Sequence, residues 1–147
     1  MIESHQIRPA EGVVETMIQL TRAAKSHRVI VAGSNAFDVY LDLLHRGFFR
    51  AATTATCRIP CEQHDVGLIA GQHSTQALET LLVRIVPFLT SQAIMAVCVD
   101  CDEHQGGMRL QKLLERLGFR IEAGTKCEGG FILAARRDAW NGAAKAA

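Results

Sequence analysis

The sequence predicts an α/β fold, a three-layer sandwich whose mostly parallel sheet of about six strands ends in an antiparallel hairpin. Three observations carry this. Short apolar runs rich in β-branched residues, "RVIVAG" and "VGLIAG" among them, alternate with segments whose apolar residues recur every three or four positions. Continuous apolar runs of that kind suit strands covered on both faces, the setting of a central parallel strand. From "FRIEAGT" onward the pattern changes to apolar–polar alternation around a turn, which is the signature of a hairpin. Strands alternating with helices over the first 118 residues require right-handed crossovers, with helices on both faces of the sheet.

The elements follow in order. Ala10, Val13, Val14, Met17 and Leu20 form a helical stripe over Pro9 to Ala24, and Pro9 suits a first helical turn that needs no backbone donor. "RVIVAG" is the first strand. Phe37, Tyr40, Leu41 and Leu44 have helical spacing, and Gly47 is placed to end that helix as a left-handed cap. "RAATTAT", Arg50 to Thr56, is a second strand favoured by its threonines. A loop around Pro60 leads to the third strand, Val66 to Gly71. A helix begins near Ser74, whose hydroxyl can cap its first amides. Leu78, Leu81, Leu82 and Ile85 form its buried stripe, and Pro87 kinks or ends it. "AIMAVCVD" is the fourth strand. Leu110, Leu113, Leu114 and Leu117 mark one more helix, stopped by Gly118, and the hairpin then closes the pattern.

The 147 residues fit one domain spanning 1–147, with a tail from about 139 that frays. The chain is 48% hydrophobic and 21% charged, as a soluble globular protein is. A net charge of +1 gives no electrostatic case for nucleic acid or a membrane surface. The longest apolar run, Ala93 to Val99, is far short of the roughly 20 residues that span a bilayer. The N-terminus "MIESHQIRPAEG" lacks a basic start followed by an apolar stretch, and five cysteines in this spacing do not form a small disulfide scaffold. Together these features point to a cytoplasmic protein with free thiols.

The stretch from His64 to Arg137 resembles the C-terminal half of class I S-adenosylmethionine-dependent methyltransferases, which are Rossmann-like. "HDVGLIAG" is similar to that family's fourth strand, with an aspartate just before it. "ALETLLVRIVPFLTSQAIMAVCVD" is similar to its next helix and fifth strand. "LQKLLERLGFRIEAGTKCEGGFILAARR" is similar to its last helix and terminal antiparallel hairpin, including the Leu-Gly-Phe at 117–119. The resemblance implies a sheet in the order 2-1-3-4-6-5 with strand 6 antiparallel. It also implies that the family's third strand and the helix before it are missing, because Thr56 and Val66 are joined by a short loop. Exposed apolar surface is expected where they would sit, and such surface favours association.

By this resemblance the cofactor is S-adenosylmethionine, and the ligand crevice is the topological switch point. Gly33, Ser34 and Asn35 occupy the turn after strand one, Thr54 and Thr56 the end of strand two, and Gly71 and Gln72 the turn after strand three. The sequence departs from the family in two places. The first turn has one glycine, and the end of strand two reads Thr54-Ala55-Thr56-Cys57, without the acidic residue that binds the ribose hydroxyls. Ser34 or Asn35 can equally be read as a plain helix cap.

Three residues are candidates for proton transfer to or from an acceptor: His73, Asp100 and His104. The alternatives are a helix-covering histidine and a solvated acidic loop. Two cysteine–histidine groups have ligand-type residues, Cys57/Cys61/His64 and Cys98/Cys101/His104. Structural zinc takes four ligands and each group has three, while the strands carrying them are separated by two others; no metal is expected. "CVDC" ends a strand, whereas redox pairs of that spacing sit at helix N-termini. No nucleophile elbow or phosphate-binding loop is present. Two functions are therefore expected as competitors. One is an S-adenosylmethionine-dependent methyltransferase whose acceptor the sequence does not name, with a small-molecule ligand as its partner. The other is a non-catalytic Rossmann-like dimerisation or partner-binding module that has lost the cofactor site.

Overall fold

The computed structural model describes residues 9–57, 62–71, 74–100, 104–127 and 130–137. Four helices and six strands follow one another in those residues: α1 (Pro9–Thr21), β1 (Val29–Ala32), α2 (Ala36–His45), β2 (Ala51–Thr53), β3 (His64–Ile69), α3 (Thr75–Ile85), β4 (Leu89–Asp100), α4 (His104–Arg116), β5 (Phe119–Cys127) and β6 (Gly130–Arg137). The strands form one sheet in the order β2-β1-β3-β4-β6-β5. β2, β1, β3 and β4 run parallel, and β6 is antiparallel to both β4 and β5. This is the order, and these are the strand directions, that the resemblance to class I methyltransferases implies.

The sheet is apolar on both faces because alternate residues of each strand enter different cores. Ile30, Ile69, Met95 and Val97 pack with Leu78, Leu82 and Ile85 of α3 and with Leu110 and Leu114 of α4. Val29, Val31, Val66, Leu68, Ile94 and Ala96 pack with Val14 and Met17 of α1 and with Val39 and Leu43 of α2. The predicted stripes of α1 from Val13 onward, of α3 and of α4 are the faces that turn to the core. The stripe of α2 is shifted by a fraction of a turn: Val39 and Leu43 are buried, while Phe37 and Leu41 stand in solvent.

Several boundaries differ from the sequence expectation: β3 begins two residues early, at His64, and four others have a local reason. α1 stops at Thr21 because Arg22 turns left-handed (φ 55) and the Ala23 amide donates to the Ile18 carbonyl at 3.2 Å, closing a Schellman-type end. β2 stops at Thr53. There the Cys57 amide donates to Thr53 O at 2.9 Å and the hydroxyls of Thr53 and Thr56 meet at 3.0 Å, so the threonines that favour a strand build a turn instead. β3 ends at Ile69, two residues before Gly71, which is left-handed (φ 105). β4 begins at Leu89, earlier than its apolar run, because Pro87 lies in a single 3-10 turn, Val86–Phe88, that ends α3 and leads straight into the strand. The expected left-handed cap at Gly47 is present (φ 95), and Ser74 Oγ accepts from the Ala77 amide at 3.2 Å to start α3. The expected fraying tail from 139 lies outside the described residues.

Candidate cofactor site

β1 and β3 lie side by side, and their connections depart in opposite directions, β1 toward β2 and β3 toward β4. A crevice therefore opens at their carboxyl ends, where ligands of open α/β sheets bind. Two Ala-Gly pairs build it. β1 ends in Ala32-Gly33, and β3 is followed by Ala70-Gly71. Both glycines have positive φ, 115° and 105°, so both turns leave the sheet sharply. The Ala70 amide donates to Ala32 O at 3.0 Å and extends the ladder past the end of β3.

Gly33 is dictated by this contact. A Cβ on it would lie 1.9 Å from the Ala70 carbonyl oxygen and 3.0 Å from its carbonyl carbon. Backbone approaches backbone here, so the side-chain position of Gly33 is filled by protein rather than left open toward a ligand. The signal was present in the sequence as the repeated Ala-Gly at two strand ends; the part played by Ala70 was not read from it. On the open side of the turn Ser34 and Asn35 are exposed. Asn35 is the N-cap residue of α2, yet its side chain makes no capping hydrogen bond. The Gly33 carbonyl accepts from the Ala36 amide at 3.1 Å, and the Asn35 carbonyl from the Val39 amide at 3.0 Å.

The end of β2 divides the two threonines of the candidate set. Thr56 Oγ1 lies 3.1 Å from both the amide and the carbonyl of Thr53, and its own amide donates to Thr53 Oγ1 at 3.1 Å. That hydroxyl is committed to the turn. Thr54 donates its amide to Val31 O at 3.1 Å and is half-buried. No hydrogen bond reaches its hydroxyl among the described residues. This strand end carries no carboxylate where the resemblance leads one to look for an acidic residue; Thr54 offers a neutral hydroxyl there, and Ser34 and Asn35 are exposed beside Gly33.

Of the proton-transfer candidates, Asp100 is the last residue of β4 and His104 the first of α4, so the backbone places both at the carboxyl end of the sheet. His73 and Gln72 lie outside the described residues, as do Cys61 and Cys101. The other metal candidates are dispersed. Cys57 packs against the core under α3 and α4, whereas Cys98 packs against the opposite core under α1 and α2. Among the described residues no three His, Cys, Asp or Glu side chains gather into a metal site.

His64 opens β3, at the sheet's amino end, away from the switch point. It is 4% exposed; its Nδ1–H donates to the Phe88 carbonyl at 3.2 Å, and its ring meets the Phe88 ring at 6.3 Å. Burial lowers its pKa below the ordinary value of 6.5, against the opposing pull of the Phe88 hydrogen bond. It is a structural histidine that joins β3 to the 3-10 turn.

No family profile and no curated protein matches the sequence. Solved structures match the fold closely. A SAM-dependent methyltransferase from Aquifex aeolicus superposes with a TM-score of 0.60 at 10% identity, covering 88% of this chain and 89% of that one. The Burkholderia thailandensis 1,6-didemethyltoxoflavin-N1-methyltransferase, solved with S-adenosylhomocysteine bound, gives 0.59 at 15% identity, covering 88% and 78%. The magnesium protoporphyrin IX methyltransferase of Synechocystis PCC 6803, solved with SAM bound, gives 0.56 at 11% identity, covering 88% and 80%. At these identities the likeness is one of fold. Sheet order, the antiparallel final hairpin and these superpositions establish that the chain has the Rossmann-like fold of class I methyltransferases.

Proposed function

We propose that the chain binds S-adenosylmethionine in the crevice between the carboxyl ends of β1 and β3 and transfers its methyl group to a small-molecule acceptor. The observation that supports this most is the pair of left-handed glycine turns, Gly33 and Gly71, flanking the switch point of a sheet shared with enzymes that hold this cofactor. Ser34 and Asn35 would hold the methionine end and Thr54 the ribose. When bound, the cofactor supplies an electrophilic methyl carbon. The chain's part is to hold an acceptor atom in line with it, and positioning alone accounts for a large share of such catalysis. Asp100 and His104, at the carboxyl end of β4 and the start of α4, would take a proton from the acceptor. A neutral threonine in place of a carboxylate gives weaker hydrogen bonds to the ribose, since charge-assisted bonds are about twice as strong. The expected affinity is correspondingly low.

A second reading is supported by a specific observation. Phe37 (63% exposed) and Leu41 lie on the solvent side of α2, and Phe49 follows that helix with 78% of its surface exposed. α2 flanks the three-residue edge strand β2, where the full family pattern would add a strand and a helix. A homodimer or partner-binding module would cover this surface. Titration with S-adenosylmethionine and S-adenosylhomocysteine separates the readings: saturable binding supports the first, and its absence together with a concentration-dependent dimer supports the second.

A further inference from the structure

An open groove of about 470 Å³ lies between the C-terminal end of α1 and strands β4, β6 and β5. It shares no residue with the switch-point turns. Leu20 and Ile94 contribute apolar wall, and Arg22, Arg120, Arg136 and Glu122 contribute charge. The sheet register brings these groups together. Ile94 pairs with Arg136, and Arg136 with Arg120, so the three stand in one row across β4, β6 and β5. Paired residues face the same side of a sheet, and Ile94 faces the core beneath α1 and α2. Both guanidiniums are thus on the side where α1 ends.

The charges do not balance. Arg136 Nε donates to Glu122 Oε2 at 3.2 Å, and Arg120 Nη2 reaches the same oxygen only at 4.0 Å. Arg22 has no hydrogen bond or ion pair from its guanidinium among the described residues. One carboxylate therefore faces three guanidiniums across the groove. Two backbone irregularities converge on it. The β5–β6 register shifts between Ile121 and Ala123, which makes Glu122 the extra residue of a bulge, a device that re-aims side chains. Arg22 occupies the left-handed position after α1 (φ 55), where glycine is intrinsically favoured.

We propose that this groove binds a small organic phosphate, with the arginines gripping the phosphoryl oxygens and the half-buried Leu20 flanking its organic part. The planar guanidinium fork matches phosphate oxygens two at a time, and a partly apolar wall strengthens such contacts. The site stands independently of the cofactor reading.

The test is calorimetric titration of the full chain with phenyl phosphate and, in parallel, with phosphatidylglycerol vesicles, with phenol as the control and S-adenosylhomocysteine as competitor. Saturable binding of phenyl phosphate alone is expected, unaffected by S-adenosylhomocysteine and weakening with salt. Arg120→Gln, at an exposed position that does not threaten folding, should weaken it by about tenfold or more. Glu122→Gln should tighten it by roughly two- to fivefold, because it removes the competing carboxylate. Arg22→Gly should weaken binding while raising the melting temperature by roughly 2–4 °C, a pairing that a merely structural arginine does not give. The proposal is overturned if phenyl phosphate does not saturate, if Arg120→Gln binds as the wild type does, if S-adenosylhomocysteine competes, or if only phosphatidylglycerol vesicles bind.

Discussion

Gly33 and Gly118 both have positive φ, 115° and 89°, yet they differ in what surrounds them. A Cβ at Gly33 would collide with the Ala70 carbonyl, whereas one at Gly118 would meet nothing within 4 Å. Alanine at Gly118 therefore carries the backbone cost alone, about 1 kcal/mol. Alanine at Gly33 adds a backbone clash that forces β1 and β3 apart, and should cost at least about 3 kcal/mol. Denaturant unfolding of the two variants checks the difference. His64 gives a prediction in pH. Its folded-state pKa is lowered, so on acidification the unfolded chain takes up a proton before the folded one does. Its contribution is therefore intact above about pH 6.5 and is lost as the pH falls from there through the lowered folded value. His64→Asn keeps a donor for the Phe88 carbonyl and cannot titrate. Denaturation of both forms between neutral pH and about pH 5 should show a smaller acid loss in the variant.

At the scale of elements, α3 carries a complete set of start and stop signals. Ser74 caps it, the stripe of Leu78, Leu82 and Ile85 is buried, and Pro87 follows its end. Ser74→Ala removes the hydroxyl that accepts from the Ala77 amide and should destabilise the fold by about 1 kcal/mol, measurable as a shifted denaturation midpoint. These signals are local, which is why the helix could be placed from sequence. β2 shows the opposite. Thr53, Thr54 and Thr56 favour a strand one by one, but hydroxyl-to-backbone bonds spanning three residues end the ladder at Thr53. Intrinsic preference was outweighed by a turn that only the folded geometry displays. The bulge at Glu122 was equally hidden, because alternation along β5 continues through it in the sequence and only the register with β6 reveals the extra residue.

Across the whole molecule, pattern alone made the strand types legible: doubly buried runs such as Val29–Ala32 specify central parallel strands, and the alternation after Phe119 specifies the closing hairpin, whereas the strand order came from the resemblance to class I methyltransferases. The candidate site was legible only as a place. In the sequence Gly33 reads as a ligand contact, and the reason for it lies across the sheet at Ala70, 37 residues away in the chain. Close approach between distant backbone segments leaves no mark on spacing or composition. The same holds for Thr54 and Thr56, which are alike in sequence and differ in whether their hydroxyls are already bonded. The central claim is that the β1–β3 crevice holds an adenosyl cofactor. Its most direct test is thermal unfolding of the full chain with S-adenosylmethionine, S-adenosylhomocysteine and NAD in parallel. The account predicts stabilisation by both adenosyl compounds, reaching about 2.7 kcal/mol at a hundredfold excess over Kd, and none by NAD. No shift with either adenosyl compound at millimolar concentration would contradict it.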